Sequence, residues 1–214
     1  MLSCLKPHSL SVSSPMHGII FDLDGTLVAS GLDFDRMRAE MRLPDGVPLL
    51  ETIAELPADD RARCNEILHR HELAGAARAE LMPGVGLFLD RLRERGLRSA
   101  VVTRNSRQHT MPLLARLGLG FDPVLTRDDG PVKPDPASIQ EICRRWQTDP
   151  GRVVMLGDYR YDLELGHRAG AKSVLYLGGR AGKPLPDWAA MADFVLASFL
   201  EPQPFFDWLD RQPA

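Results

Sequence analysis

Apolar residues follow two rhythms along this chain. Short continuous runs occur at Ile19-Ile20-Phe21, Leu97 to Val102, Val153-Val154-Met155-Leu156, Ser173 to Leu177 and Phe194-Val195-Leu196. Runs of that length suit strands covered on both faces. Between them, apolar positions recur every three or four residues: Val85, Phe88, Leu89 and Leu92; Met111, Leu114 and Leu117; Ile139, Ile142, Cys143 and Trp146. That spacing predicts amphipathic helices, and Gly96, Gly118 and Gly170 stand where helices end. Asp135-Pro136 reads as an N-cap with proline at the first helical position. Phe121 to Leu125 predicts a short strand, Tyr161 to Ala169 a helix and Phe205 to Leu209 a short terminal helix. Strand and helix alternating in this way predict the α/β class, a doubly wound parallel sheet with helices on both faces.

One stretch breaks the alternation. From Val28 to about Met82 the pattern is helical throughout, with Phe34, Met37 and Met41 at helical spacing and a break at Pro44-Asp45-Gly46. Leu49 to Leu56 forms a second short stretch, ended by Pro57. Ala58-Asp59-Asp60 opens a long helix whose acidic start suits the macrodipole. Its buried stripe is expected to be Cys64, Ile67, Leu68 and His71, with His71 a helix-face residue rather than a ligand. The expected organisation is an α/β core over 16–28 and 83–214, an inserted small helical domain over 29–82, and a disordered prefix over 1–15. Met16 directly precedes the first strand and reads as a start. The Ser-rich prefix lacks the apolar core of a secretory signal.

Composition narrows the function. At 214 residues, 44% hydrophobic and 26% charged, the chain is an ordinary globular one with room for one good-sized core. A net charge of −3 with no basic cluster gives no expectation of a nucleic-acid partner. No apolar run approaches the length of a membrane span. Cys4, Cys64 and Cys143 are odd in number and far apart, as reduced thiols of a cytoplasmic protein would be. Of 26 basic residues only Lys6, Lys133, Lys172 and Lys183 are lysine, which makes the position of each one worth questioning.

Chemistry collects at the ends of the apolar runs. Asp22 and Asp24 close the first one, and Gly25 permits the sharp turn that follows. Thr103 follows Val102, Lys133 lies in Val132-Lys133-Pro134-Asp135-Pro136, and Asp158 and Asp162 follow Gly157. Along the carboxyl edge of a parallel sheet these groups would form one site, where open α/β folds bind ligands. Each also has an ordinary reading as a turn residue or a surface charge.

These four segments, Phe21-Asp22-Leu23-Asp24-Gly25-Thr26-Leu27, Val102-Thr103-Arg104-Asn105, Val132 to Pro136 and Gly157-Asp158-Tyr159-Arg160-Tyr161-Asp162, resemble the four motifs of the haloacid dehalogenase-like hydrolases. The helical insertion resembles the cap of the phosphoglycolate phosphatase-like branch, although Ala29 stands where that branch often has an acid and the insertion looks short. The resemblance implies a Rossmann-like core and a Mg²⁺-dependent phosphatase acting on a small phosphorylated metabolite. It implies Asp22 as nucleophile, Asp24 as acid and base, and Lys133 as the balancing charge. It further implies Thr103, Arg104 and Asn105 around the phosphate, and Asp22, Asp24, Asp158 and Asp162 around the metal.

Other readings of the family are distinguishable. A dehalogenase needs no acid at position 24. A phosphonate hydrolase needs a cap lysine, and residues 28–82 contain none. A sugar phosphomutase shares the core and differs in whether a sugar hydroxyl or water accepts the phosphoryl group. A non-catalytic regulator would not be expected to keep the whole set. Arg36, Arg38 and Arg42 on the first cap helix read as a solvated face, or alternatively as partners of a substrate anion. Oligomeric state is not legible.

Overall fold

A computed structural model describes residues 16–213 except 181 and 183. The expected prefix over 1–15, with Cys4 and Lys6, lies outside the described residues, as does Lys183. In chain order the elements are β1 (Gly18–Phe21), β2 (Val28–Ala29), α1 (Phe34–Met41), α2 (Leu49–Glu55), α3 (Ala58–Arg78), β3 (Glu80–Leu81), α4 (Val85–Glu94) and β4 (Arg98–Val102). There follow α5 (Arg107–Arg116), β5 (Val124–Leu125), α6 (Ala137–Trp146), β6 (Val153–Gly157), α7 (Arg160–Ala169), β7 (Lys172–Tyr176), β8 (Phe194–Leu196) and α8 (Gln203–Leu209).

Six strands form one parallel sheet in the order β5-β4-β1-β6-β7-β8. The chain winds outward from β1 through β4 to β5, then returns to the other side of β1 and winds out through β6, β7 and β8. The fold is therefore α/β and doubly wound, with the direction of winding reversing at β1. All four residues of β1 are buried, because helices cover both faces. Ile19 and Phe21 face a layer that includes Phe88 and Leu92 of α4 and Phe205 and Phe206 of α8. Ile20 faces the opposite layer, with Ile139, Ile142 and Trp146 of α6 and Leu165 of α7. The alternating direction of strand side chains thus splits one apolar run between two cores.

Between β1 and α4 the chain makes an excursion through three helices. Its two ends, β2 and β3, pair antiparallel, Val28 opposite Leu81 and Ala29 opposite Glu80. This two-residue ladder is too short to show a period in sequence, and the apolar pattern predicts no strand there. The helices bury Met37, Met41, Leu49, Ile53, Cys64 and Leu68 against one another, apart from the sheet's own layers. Asp33 caps α1 by accepting from the Arg36 N–H at 2.9 Å.

Several local expectations shift. Phe34 and Met111, placed on helical stripes by spacing, are 47% and 42% exposed. The strand expected over 121–125 is confined to Val124–Leu125. Helix α6 starts at Ala137, one residue later than the proline rule suggests, with the Ala137 N–H donating to Asp135 Oδ1 at 2.9 Å. Lys133 is not at a strand end but in the loop between β5 and α6.

A tight spot in the sheet gives a stability prediction. A Cβ on Gly18 would stand 2.6 Å from the Arg98 carbonyl oxygen and 2.6 Å from Cζ3 of Trp146. Backbone and a buried indole cannot both retreat, so Gly18→Ala should cost about 1–3 kcal/mol in urea denaturation. An unchanged midpoint would contradict this packing.

Candidate active site

The register of the sheet decides which polar groups meet. Phe21 pairs with Val101 on one side and Leu156 on the other, so the residues that follow leave the sheet at one level. The Asp22 N–H donates to Leu156 O at 2.9 Å, and the Thr103 N–H donates to Leu125 O at 2.9 Å. After Asp22 the backbone folds into a turn in which the Leu27 N–H donates to Leu23 O and the Gly25 N–H to Val28 O. Gly25 holds φ +83°, and a Cβ there would sit 2.6 Å from Asp158 Oδ2. Glycine is required twice over, by conformation and by the carboxylate beside it.

Lys133 joins the two halves of the sheet. Its Nζ donates to Asp22 Oδ1 and, at 2.7 Å, to Asp162 Oδ1. All three side chains are almost completely buried. The other oxygen of Asp162 accepts from the Tyr159 N–H at 3.1 Å, which seats this residue in the first turn of α7. Gly157 is the close neighbour that gives the Asp162 carboxyl its space.

Asp24 lies across from Asn105, whose Nδ2 donates to Asp24 Oδ2. The Asn105 N–H donates to Thr103 Oγ1 at 3.1 Å, which leaves the threonine O–H free to donate elsewhere. Asp158 accepts from Arg180 at 2.9 Å on Oδ2. Oxygens of Asp22, Asp158 and Asp162 all lie within 4.8 Å of one another.

Burial and crowding shape the titration of these groups. Desolvation pushes the Asp22 carboxyl well above its usual range, with Asp162 and Asp158 adding to the rise and Lys133 opposing it. Desolvation also raises Asp24, against hydrogen bonds from Ser30 and Asn105. Asp158 is raised to about 6, by desolvation first and by the nearby Asp162 charge. Burial alone would lower the Lys133 ammonium, yet Asp162 and Asp22 outweigh it and hold the ammonium charged. Lys133 and Arg180 are two positive charges facing four carboxylates. The imbalance is relieved by protons or by a cation, and a set of hard oxygen donors fits a divalent metal ion.

All eight residues singled out from the sequence line one cavity of ≈520 Å³: Asp22, Asp24, Thr103, Arg104, Asn105, Lys133, Asp158 and Asp162. It lies between the carboxyl edge of the sheet and the helical excursion. Sequence reasoning missed the residues that join the two. Glu51 of α2 takes the Arg104 guanidinium on both carboxylate oxygens, at 2.9 and 2.7 Å. Glu72 of α3 does the same for Arg127, and accepts from Ser106 Oγ at 3.3 Å. A signal for Glu72 existed, since it falls on the same helical stripe as Cys64 and Leu68 and is 4% exposed. Of the three arginines considered on α1, Arg38 lines the cavity, Arg36 pairs with Glu40 and Arg42 terminates the helix with φ 61°. His71 rests 3.2 Å from Glu40, away from the cavity lining.

Fold and site together define a doubly wound α/β enzyme that works at its winding reversal. The family model described as haloacid dehalogenase-like hydrolase matches residues 38–176. A plasmid-encoded phosphoglycolate phosphatase of Cupriavidus necator is 32% identical over 219 residues, spanning 91% of this chain and 94% of that one. A haloacid dehalogenase-like hydrolase domain-containing protein of Arabidopsis thaliana is 30% identical over 172 residues, 75% of this chain and 70% of that one. Among solved structures, a predicted phosphoglycolate phosphatase from Haemophilus somnus superposes with TM-score 0.70 at 24% identity, over 90% of this chain and 98% of that one. The chain belongs to the haloacid dehalogenase-like hydrolases, in their phosphoglycolate phosphatase-like branch, and is a phosphatase.

The crowded carboxylates give a pH prediction for the metal-free protein. A carboxyl raised to about 6 keeps its proton in the folded chain between roughly pH 4 and 6, where the unfolded chain has lost it. Stability contributed by Asp158 is therefore present near pH 4 and lost as pH rises through 6. His17 and His109, both lowered first by burial, act in the opposite direction, so the informative quantity is a difference. In chelator, Asp158→Asn should gain roughly 2 kcal/mol relative to the unmodified protein between pH 4 and pH 7. Parallel stability curves for the two proteins would contradict the assignment.

Proposed function

We propose that the protein hydrolyses a small phosphomonoester with Mg²⁺, through a phosphoryl group carried on Asp22. The observation that supports this reading most is the Lys133 ammonium bonded at once to Asp22 and Asp162. It favours the ionised form of Asp22 against the effect of burial and aims it into the cavity, and it would offset the charge that a phosphate brings.

In the proposed sequence an Asp22 oxygen attacks phosphorus, and the bond to the ester oxygen breaks. Asp24 gives its proton to the departing alkoxide. Its raised pKa favours the protonated form this step needs, and Asn105 on Oδ2 leaves Oδ1 to carry the proton. Water then attacks phosphorus from the side the alcohol vacated, Asp24 takes its proton, and Asp22 is released with inorganic phosphate. The Thr103 O–H, the Arg104 backbone N–H and Asn105 would hold phosphate oxygens. The metal would be held by the carboxylates of Asp22 and Asp158 and the Asp24 main-chain carbonyl, with Asp162 beside them. When bound it draws charge from the phosphoryl oxygens.

The helices over 34–78 act in this reading as a cap, with residues 16–28 and 83–214 as the catalytic core. Glu51 and Glu72 would tie that cap to Arg104 and Arg127. Buried free Cys64 and Cys143 support a reducing, cytoplasmic setting. Among the described residues no helix is long and apolar enough to cross a membrane.

Asp22→Asn should lower phosphate release by more than about 10³-fold while the folded signal is retained. Residual turnover near the unmodified rate would remove Asp22 from the nucleophile's role. Chelator should abolish release, and added Mg²⁺ should restore it. Activity indifferent to chelation would contradict the metal requirement.

A further inference from the structure

Resting on the phosphatase reading, we infer that the alcohol released carries a flat apolar ring rather than a polyol, and that Phe34 is a specificity-determining residue. The cavity has two dissimilar ends. Its sheet end is formed by the charged groups described above. Its far end is walled by Leu32, Phe34, Met37, Val47, Leu49 and Leu50. Most of these also form the packed interior of the three helices, and alone they would need no further explanation.

Phe34 does need one. It lines the cavity, is 47% exposed and belongs to none of the apolar clusters. Tyr159, 48% exposed, and Tyr161 line the same cavity. The Arg104 guanidinium lies 4.7 Å and the Arg160 guanidinium 5.0 Å from the Tyr161 ring centroid. The Tyr159 ring meets Tyr161 edge-on at 5.3 Å, so Tyr161 is already engaged while Phe34 and Tyr159 keep exposed surface. The exposed rings of Phe34 and Tyr159 offer faces and edges that a planar group stacks against.

A polyol would find little to bond at the apolar end. Arg38 is the charged residue of α1 that lines it, and it already donates to Val47 O at 3.0 Å and Asp35 Oδ1 at 2.7 Å. The Arg104 guanidinium is taken by Glu51 and the Lys133 carbonyl. Hydroxyls pushed into such a wall lose their water without replacement, which is a strong ground for rejection.

The test compares benzyl phosphate, ethyl phosphate and glucose 6-phosphate with Mg²⁺, all esters of primary alcohols and so similar in intrinsic reactivity. KM for benzyl phosphate should be at least about tenfold below that for glucose 6-phosphate. Phe34→Ala should cut the preference for benzyl over ethyl phosphate about fivefold, mainly through KM, and Phe34→Tyr should restore most of it. Equal or tighter use of glucose 6-phosphate overturns the inference and leaves the hydrolytic reading standing, as does a Phe34→Ala variant whose preference is unmoved. No phosphate released from any of the three esters, with phosphoglycolate hydrolysed under the same conditions, overturns the inference alone, and no release from phosphoglycolate either overturns both.

Discussion

An ammonium taken out of water is expensive unless the groups around it repay the lost hydration, and a buried carboxylate has the same problem with opposite sign. Lys133, Asp22 and Asp162 answer both by sharing two hydrogen bonds, almost fully buried at the sheet end of the cavity. Removing Lys133 leaves two buried carboxylates without their cation, whereas removing either aspartate leaves one ion pair. That constraint explains why the loop between β5 and α6 reaches across the edge of the sheet. It also explains why the first turn of α7 is fixed by the Asp162 cap, and why Gly157 leaves room beside it. The surplus of acid over base around the triad, with Asp24 and Asp158 added, is what makes the place fit for a cation and a phosphoryl group.

The helices over 34–78 are held to this edge by ion pairs, by the His69–His109 contact at 2.9 Å between α3 and α5, and by Ala76 of α3 packed against the sheet's apolar layer. Their interior is their own, and two carboxylates, Glu51 and Glu72, reach arginines that follow β4 and β5. Both ion pairs sit beside the cavity, and β2 and β3 bring the two connections through the same narrow neck. Solvent-exposed ion pairs contribute little to stability, whereas the Glu72 carboxylate is buried and its loss would leave Arg127 without its partner.

Much of this was legible in sequence because two periodicities carry it. Runs such as Ile19 to Phe21 and Val153 to Leu156 suit strands covered on both faces, and Ile139 to Trp146 fits one face of a helix. Spacing cannot see what depends on a partner far along the chain. Phe34 and Met111 fit a helical stripe yet are exposed. β2 and β3 are two residues each and exist through their pairing. The eight cavity residues singled out from the sequence are legible because each stands at the end of an apolar run or in a recognisable motif, while Arg180, Glu51 and Arg127 stand in no such place. Lys133 is legible through its neighbours in sequence, though it occupies a loop rather than the strand end expected for it.

A crystal structure grown with Mg²⁺ and beryllium fluoride, a stand-in for a phosphoryl group on a carboxylate, tests the central claim most directly. The account requires the fluoride adduct on an oxygen of Asp22, Lys133 Nζ within hydrogen-bond distance of it and of Asp162, and the metal on Asp158. An adduct on another residue, or a Lys133 side chain turned out into solvent, would contradict it.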